Sequence, residues 1–117
     1  LIHTIMDSIL GALGLGDIGK HFPDTDMEYK DISSMVLLER VYKLMDDKGY
    51  EIGNIDATIA AQRPKLAPHI EEMRRNLAGI LKTSIDNINI KATTEELGFI
   101  GRKEGIEAYG VSLLKRK

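Results

Sequence analysis

The apolar positions of residues 1–14 recur at helical spacing. Ile2, Ile5, Met6, Ile9, Leu10 and Leu13 fall on one face, the pattern of an amphipathic helix. Gly14 and Gly16 end it, since glycine readily takes the left-handed conformation that closes a helix. Residues 17–32 turn polar and are predicted to form a loop. Ser33 or Ser34 then caps a second helix, with Val36, Leu37, Val41, Leu44 and Met45 inward and Gly49 as its stop. After Gly49 the helical stripe disappears. Residues 50–62, "YEIGNIDATIAAQ", carry Ile52, Ile55 and Ile59 and are predicted as a strand, with Gly53 marking a bulge. A loop with two prolines comes next. Pro68 suits the first turn of a third helix over residues 68–83, with Ile70, Met73, Leu77, Ile80 and Leu81 inward. "DNINIKATT" alternates Ile88 and Ile90 with Asn87, Asn89 and Lys91, as a half-buried strand does. Residues 95–105 are a glycine-punctuated loop, and residues 106–114 form a last strand. The order helix, helix, strand, helix, strand, strand predicts an α/β (α+β) sandwich: a small mixed β-sheet with helices packed on one face.

Composition narrows the function classes. The chain has 117 residues, which predicts a single domain spanning 1–117. Its net charge is −2, which argues against an overall basic nucleic-acid binder. It has no cysteine, so disulfides and thiolate metal sites are excluded and His, Asp and Glu remain as ligands. No apolar run approaches the roughly 18 residues of a membrane-spanning helix. The helical period is already running at Leu1 without a cap, which creates the expectation of further residues upstream.

Polar chemistry concentrates in a few segments. "GDIGKHFPDTD", residues 16–26, places Asp17, Asp24 and Asp26 among glycines and a proline. Aspartates in such a loop either bond their own backbone or line a site whose glycines admit a ligand. His3 and Asp7 stand four apart on the first helix and share a face, either as surface residues or as a metal ligand with its orienting carboxylate. His21 in a loop and His69 in a first helical turn have the same bland alternative. "IKATTEELGFIGR" puts Thr93 and Thr94 at a strand end, where open α/β sheets build sites, and places Arg102 shortly after them. "AAQRPKLAP" is a small, proline-bent loop suited to closing over a flat base, with Lys65 toward a phosphate.

"DSILGALGLGDIGKHFPDTD", "GYEIGNIDATIAAQRPKLAPHI" and "INIKATTEELGFIGRKEGIEA" together resemble the 2-C-methyl-D-erythritol 2,4-cyclodiphosphate synthase family. The resemblance runs from residue 1 to about residue 114. It implies a homotrimer around a central β-lined axis, with active sites at the subunit interfaces and neither nucleic acid nor membrane as partner. The implied substrate is 4-diphosphocytidyl-2-C-methyl-D-erythritol 2-phosphate, closed to the cyclic diphosphate with release of CMP. Zinc is implied at His3 together with an Asp and a His of an upstream Asp-x-His motif. Magnesium or manganese is implied with the diphosphate.

The resemblance assigns the remaining roles residue by residue. Asp7 matches the carboxylate that orients His3. Asp17, Ile18 and Gly19, then Phe22, Pro23, Asp24, Thr25 and Asp26, match the loop that holds the methylerythritol. Ala61, Gln62, Arg63, Pro64, Lys65, Leu66 and Ala67 match the cytidine pocket. Thr93 and Thr94 face the diphosphate, with Thr94 stabilising the transition state. Glu95 matches the second-metal ligand, and Phe99 and Arg102 lie near the substrate and the trimer axis.

Three departures accompany the match. The Asp-x-His motif, with about forty residues, lies upstream of Leu1 in the family. "ATTEELGF" is one residue short, which leaves Glu95 or Glu96 as the metal ligand. Tyr109 stands where the family often has an acid, beside the channel where an isoprenoid diphosphate is implied to bind. The alternatives are a non-catalytic trimeric scaffold of the same fold and the C-terminal half of a bifunctional cytidylyltransferase/cyclodiphosphate synthase. The implied location is cytoplasmic in a bacterium and a plastid-type organelle in a eukaryote.

Overall fold

A computed structural model describes residues 1–23, 33–60, 67–93 and 107–117. Helix α1 spans Ile2–Ala12 and buries Ile5, Met6, Ile9 and Leu10. Gly14 and Gly16 both take positive φ, at +70° and +90°, which turns the chain back as expected. The segment after Gly16 is not all loop. A one-turn helix α2, Ile18–His21, is started by Asp17, whose side chain accepts from the Lys20 N–H. The acid that read as turn chemistry acts here as a helix cap.

Helix α3, Ser34–Asp47, starts at Ser33, whose hydroxyl accepts from the Met35 N–H. Leu37, Leu38, Val41 and Met45 are its buried residues. Val36, expected inward, is instead exposed. The run Val36–Leu37–Leu38 offers two overlapping stripes, and the 3.6-residue period of the buried positions selects Leu38. Gly49 ends the segment at φ +85°.

Strand β1, Tyr50–Ala60, is central in a sheet that, among the described residues, has three strands in the order β2-β1-β3. A 3-10 turn at Ala67–His69 leads into α4, Ile70–Leu81. A second 3-10 turn at Ile85–Asn87 leads into β2, Ile88–Thr93, and β3 covers Glu107–Arg116. β2 runs parallel to β1, Ile55 opposite Ile88 and Ala60 opposite Thr93. Helix α4 makes the crossover that a parallel pair requires. β3 runs antiparallel to β1, with the register broken between Ile52 and Asn54. That break is the bulge at Gly53, where an added Cβ would lie 2.9 Å from the Leu113 carbonyl oxygen.

Helices α1, α3 and α4 cover one face of the sheet around a single core that includes Ile55, Ala57, Ile59, Ile88 and Ile90. α1 sits close on β3. A Cβ at Gly110 would lie 3.1 Å from the Thr4 methyl, and Ser8 and Ser112 share a hydrogen bond of 2.5 Å. The other face carries exposed Tyr109, Val111 and Leu113. Among the described residues no helix is long and apolar enough to cross a membrane.

That open face also bears a polar cluster. The Asp56 carboxylate accepts from Asn89 Nδ2 and from Lys91 Nζ, each at 2.9 Å. These bonds, Asn89 foremost, hold its carboxyl below the ordinary aspartate value of 3.8. A group whose folded pKa is depressed stabilises the fold above its unfolded value. That stabilisation is lost as pH falls through the folded value. Asp56→Asn is therefore expected to flatten the decline in unfolding free energy below pH 3.8. Urea unfolding across the acid range measures it, and identical acid slopes in the two proteins contradict the assignment.

Candidate functional site

The register brings three chain ends to one edge of the sheet. Ala60 ends β1, Thr93 ends β2 and Glu107 begins β3. Ala60 pairs with Thr93 on one side and with Glu107 on the other. This is the carboxyl end of the parallel pair, where open α/β sheets build their sites. The residues predicted to hold cytidine and diphosphate adjoin these ends in sequence. Ala61, Gln62, Arg63, Pro64, Lys65 and Leu66 come after β1, while Thr94, Glu95, Phe99 and Arg102 lie between β2 and β3; all fall outside the described residues. So do Asp24, Thr25 and Asp26, which precede Ser33. Ala67 opens the 3-10 turn before α4.

His3 lies toward the same side of the molecule, on the first turn of α1. Its neighbour Thr4 rests against Gly110 of β3. The imidazole is exposed, with Nε2 at 3.1 Å from Ser34 Oγ. Together with Leu1, Ile2, Met35, Met73, Asn76 and Leu77, this pair lines an open cavity of about 360 Å³. Asp7, expected to orient His3, does something else: its Oδ1 accepts from the Ile18 N–H at 2.9 Å. Asp17 Oδ1 accepts from the Lys20 N–H at 2.9 Å. Two carboxylates thus pin the first turn of α2 and set the backbone of Ile18 and Gly19, with Phe22 and Pro23 next along the chain.

The other histidines have structural surroundings. His21 Nε2 donates to the Leu15 carbonyl at 2.7 Å, and His69 closes the 3-10 turn before α4. Among the described residues no group of three or more His, Cys, Asp or Glu side chains converges. The exposed His3 imidazole, with Nε2 hydrogen-bonded to Ser34, leaves its other ring nitrogen able to serve as one donor to a metal such as zinc.

Two polar features escaped the sequence pattern. Ser34 was legible only as an alternative cap, not as the partner of His3. Arg74 on α4 is half-buried and donates through Nε to the Ile88 carbonyl at 2.6 Å and through a terminal nitrogen to the Ile85 carbonyl at 3.0 Å. It clamps the start of the strand that ends in Thr93. No local motif signals an arginine whose targets are backbone carbonyls eleven and fourteen residues away.

Residues 1–115 match the YgbB family. A 2-C-methyl-D-erythritol 2,4-cyclodiphosphate synthase of Clostridioides difficile (strain 630) is 69% identical over 115 residues, covering 97% of this chain and 71% of that protein. Its namesake in Bacillus cytotoxicus is 59% identical over 118 residues, covering 100% of this chain and 75% of its own. Among solved structures, the bifunctional IspDF of Campylobacter jejuni superposes with a TM-score of 0.94 at 47% identity. It covers 100% of this chain, which spans only 32% of that longer protein. The CDP complex of Plasmodium falciparum IspF superposes with a TM-score of 0.87 at 38% identity, covering 99% of this chain and 70% of its own. This chain belongs to the YgbB family, and its function is that of the 2-C-methyl-D-erythritol 2,4-cyclodiphosphate synthases, lyases of isoprenoid biosynthesis.

Proposed function

We propose that the chain acts as one domain of a homotrimer whose sites lie on the seams between copies. There it closes 4-diphosphocytidyl-2-C-methyl-D-erythritol 2-phosphate to the cyclic diphosphate. An oxygen of the substrate's 2-phosphate attacks the β-phosphorus of the CDP group, forming the new P–O–P link. The bond from that phosphorus to the bridging oxygen breaks, and CMP leaves with the electron pair. The substrate carries its own nucleophile, so the protein has to position groups and neutralise charge.

Thr93 and Thr94 donate hydroxyl hydrogens to the diphosphate, and Lys65 adds a positive charge. The loop of Asp17, Ile18, Gly19 and Phe22 to Asp26 holds the polyol, its carboxylates accepting from hydroxyls. Residues 61–67 close over the cytosine. His3 supplies one zinc ligand, and Glu95 or Glu96 holds magnesium or manganese. Bound divalent cations neutralise phosphate charge and act as Lewis acids. Alignments of 118 positions against a chain of 117 residues support a missing residue relative to the Bacillus relative, in line with the shortened "ATTEELGF". An isoprenoid diphosphate in the central channel would have Arg102 as its cation, with Tyr109 beside it. The bacterial relatives favour a cytoplasmic location.

The observation that carries the seam is the open sheet face. Tyr109, Val111 and Leu113 are 59%, 72% and 66% exposed. A row of large apolar side chains left in water marks an interaction surface, and copies of the chain would meet there around a β-lined axis. Val111 lies opposite Asp56 in the register, so a second carboxylate there would add like-charge repulsion to the lost apolar contact. The native protein is expected to sediment as a trimer. Val111→Asp is expected to sediment as a monomer and to lose CMP release in the same preparation. A monomeric Val111→Asp protein with native turnover would refute the shared site.

A further inference from the structure

We infer that Ser34 is a positioning residue: its hydroxyl accepts from His3 Nε2–H, and so fixes which ring nitrogen faces a metal. The 3.1 Å contact joins the first turn of α1 to the first turn of α3, 31 residues apart in sequence. Both partners are firmly placed. Ser33 caps α3 through the Met35 N–H at 3.2 Å, and the buried Leu37 and Leu38 prevent that turn from rotating. On the other side, Ile5 and Met6 bury completely beneath His3. The obvious competitor, Asp7, is engaged by the Ile18 N–H.

An imidazole that donates through Nε2 keeps its lone pair on Nδ1. Nδ1 is then the ring atom available to a cation, and the ring plane is set by the serine. Ligating histidines are commonly held in this way through their second nitrogen, and loss of the holding group typically weakens metal binding about 10–100-fold. A neutral hydroxyl does this without a second negative charge at the site. The consequence for metal binding rests on His3 being a ligand, as proposed above; the tautomer does not.

Two measurements separate these. Long-range proton–nitrogen correlation spectra of the metal-free protein report the His3 tautomer directly. The native protein is expected to show Nε2–H. Ser34→Ala is expected to shift toward a mixture, and Ser34→Thr, which retains a hydroxyl, to restore it. Chelator competition is expected to show zinc binding about 10-fold weaker in Ser34→Ala and near native in Ser34→Thr. A native Nδ1–H tautomer, or a Ser34→Ala protein unchanged in both tautomer and zinc affinity, overturns the inference. Native zinc affinity in His3→Ala would instead overturn the role of His3 as ligand, and the tautomer would still decide the role of Ser34.

Discussion

Replacing His3 with alanine is expected to empty the zinc site and to cut CMP release by more than about 100-fold. The geometry supports this outcome. His3 is exposed at the start of α1 and tethered through Nε2 to Ser34. No second His, Asp or Glu joins it among the described residues in a group of three or more. A zinc site cannot compensate for the loss of one protein donor, because tetrahedral zinc needs its full donor set. The fold should survive, since an exposed helix-surface substitution away from a cap costs within about 0.5 kcal/mol. Zinc content by elemental analysis and CMP release by chromatography should therefore fall together while the melting transition of the metal-free protein holds. Native turnover in His3→Ala would remove His3 from the mechanism.

Thr94→Ala is expected to lower kcat by about 100-fold with little change in KM, the loss typical when one hydrogen-bond donor to a developing charge is deleted. Thr94 directly succeeds the last residue of β2, and β2 is fixed at both ends. Arg74 clamps its start through the Ile85 and Ile88 carbonyls, and pairing of Thr93 with Ala60 sets its finish. A donor that needs no reorganisation when charge develops gains its effect from that fixity. Steady-state kinetics separate the two parameters. Raised KM with unchanged kcat would mean that Thr94 binds substrate and transition state equally. Thr94→Ser, retaining the hydroxyl, should recover most of the activity.

The fold was legible wherever one period dominated. The stripe of α1, the positive-φ glycines at 14 and 49, the bulge at Gly53 and the alternation of Ile88 and Ile90 all emerged as the spacing predicted. It was less legible where apolar residues were contiguous. In "VLL" the pattern alone did not choose between Val36 and Leu38, because packing against the rest of the core makes that choice. Similarly, "YGVSLL" in β3 does not reveal from sequence that Tyr109, Val111 and Leu113 point away from the helices. The carboxylates of Asp7 and Asp17 were read by residue type, and their actual partners, the amides of Ile18 and Lys20, depend on how a one-turn helix meets α1. The site was legible chiefly as motif. Three chain ends meet at one sheet edge, a property of register that no single segment contains.

The most direct test is phosphorus NMR of the purified protein with 4-diphosphocytidyl-2-C-methyl-D-erythritol 2-phosphate and divalent cations. The account predicts one equivalent of CMP for each equivalent of cyclic diphosphate, with no linear phosphate product. Substrate left intact, or CMP accompanied by an opened, hydrolysed phosphate, would contradict it.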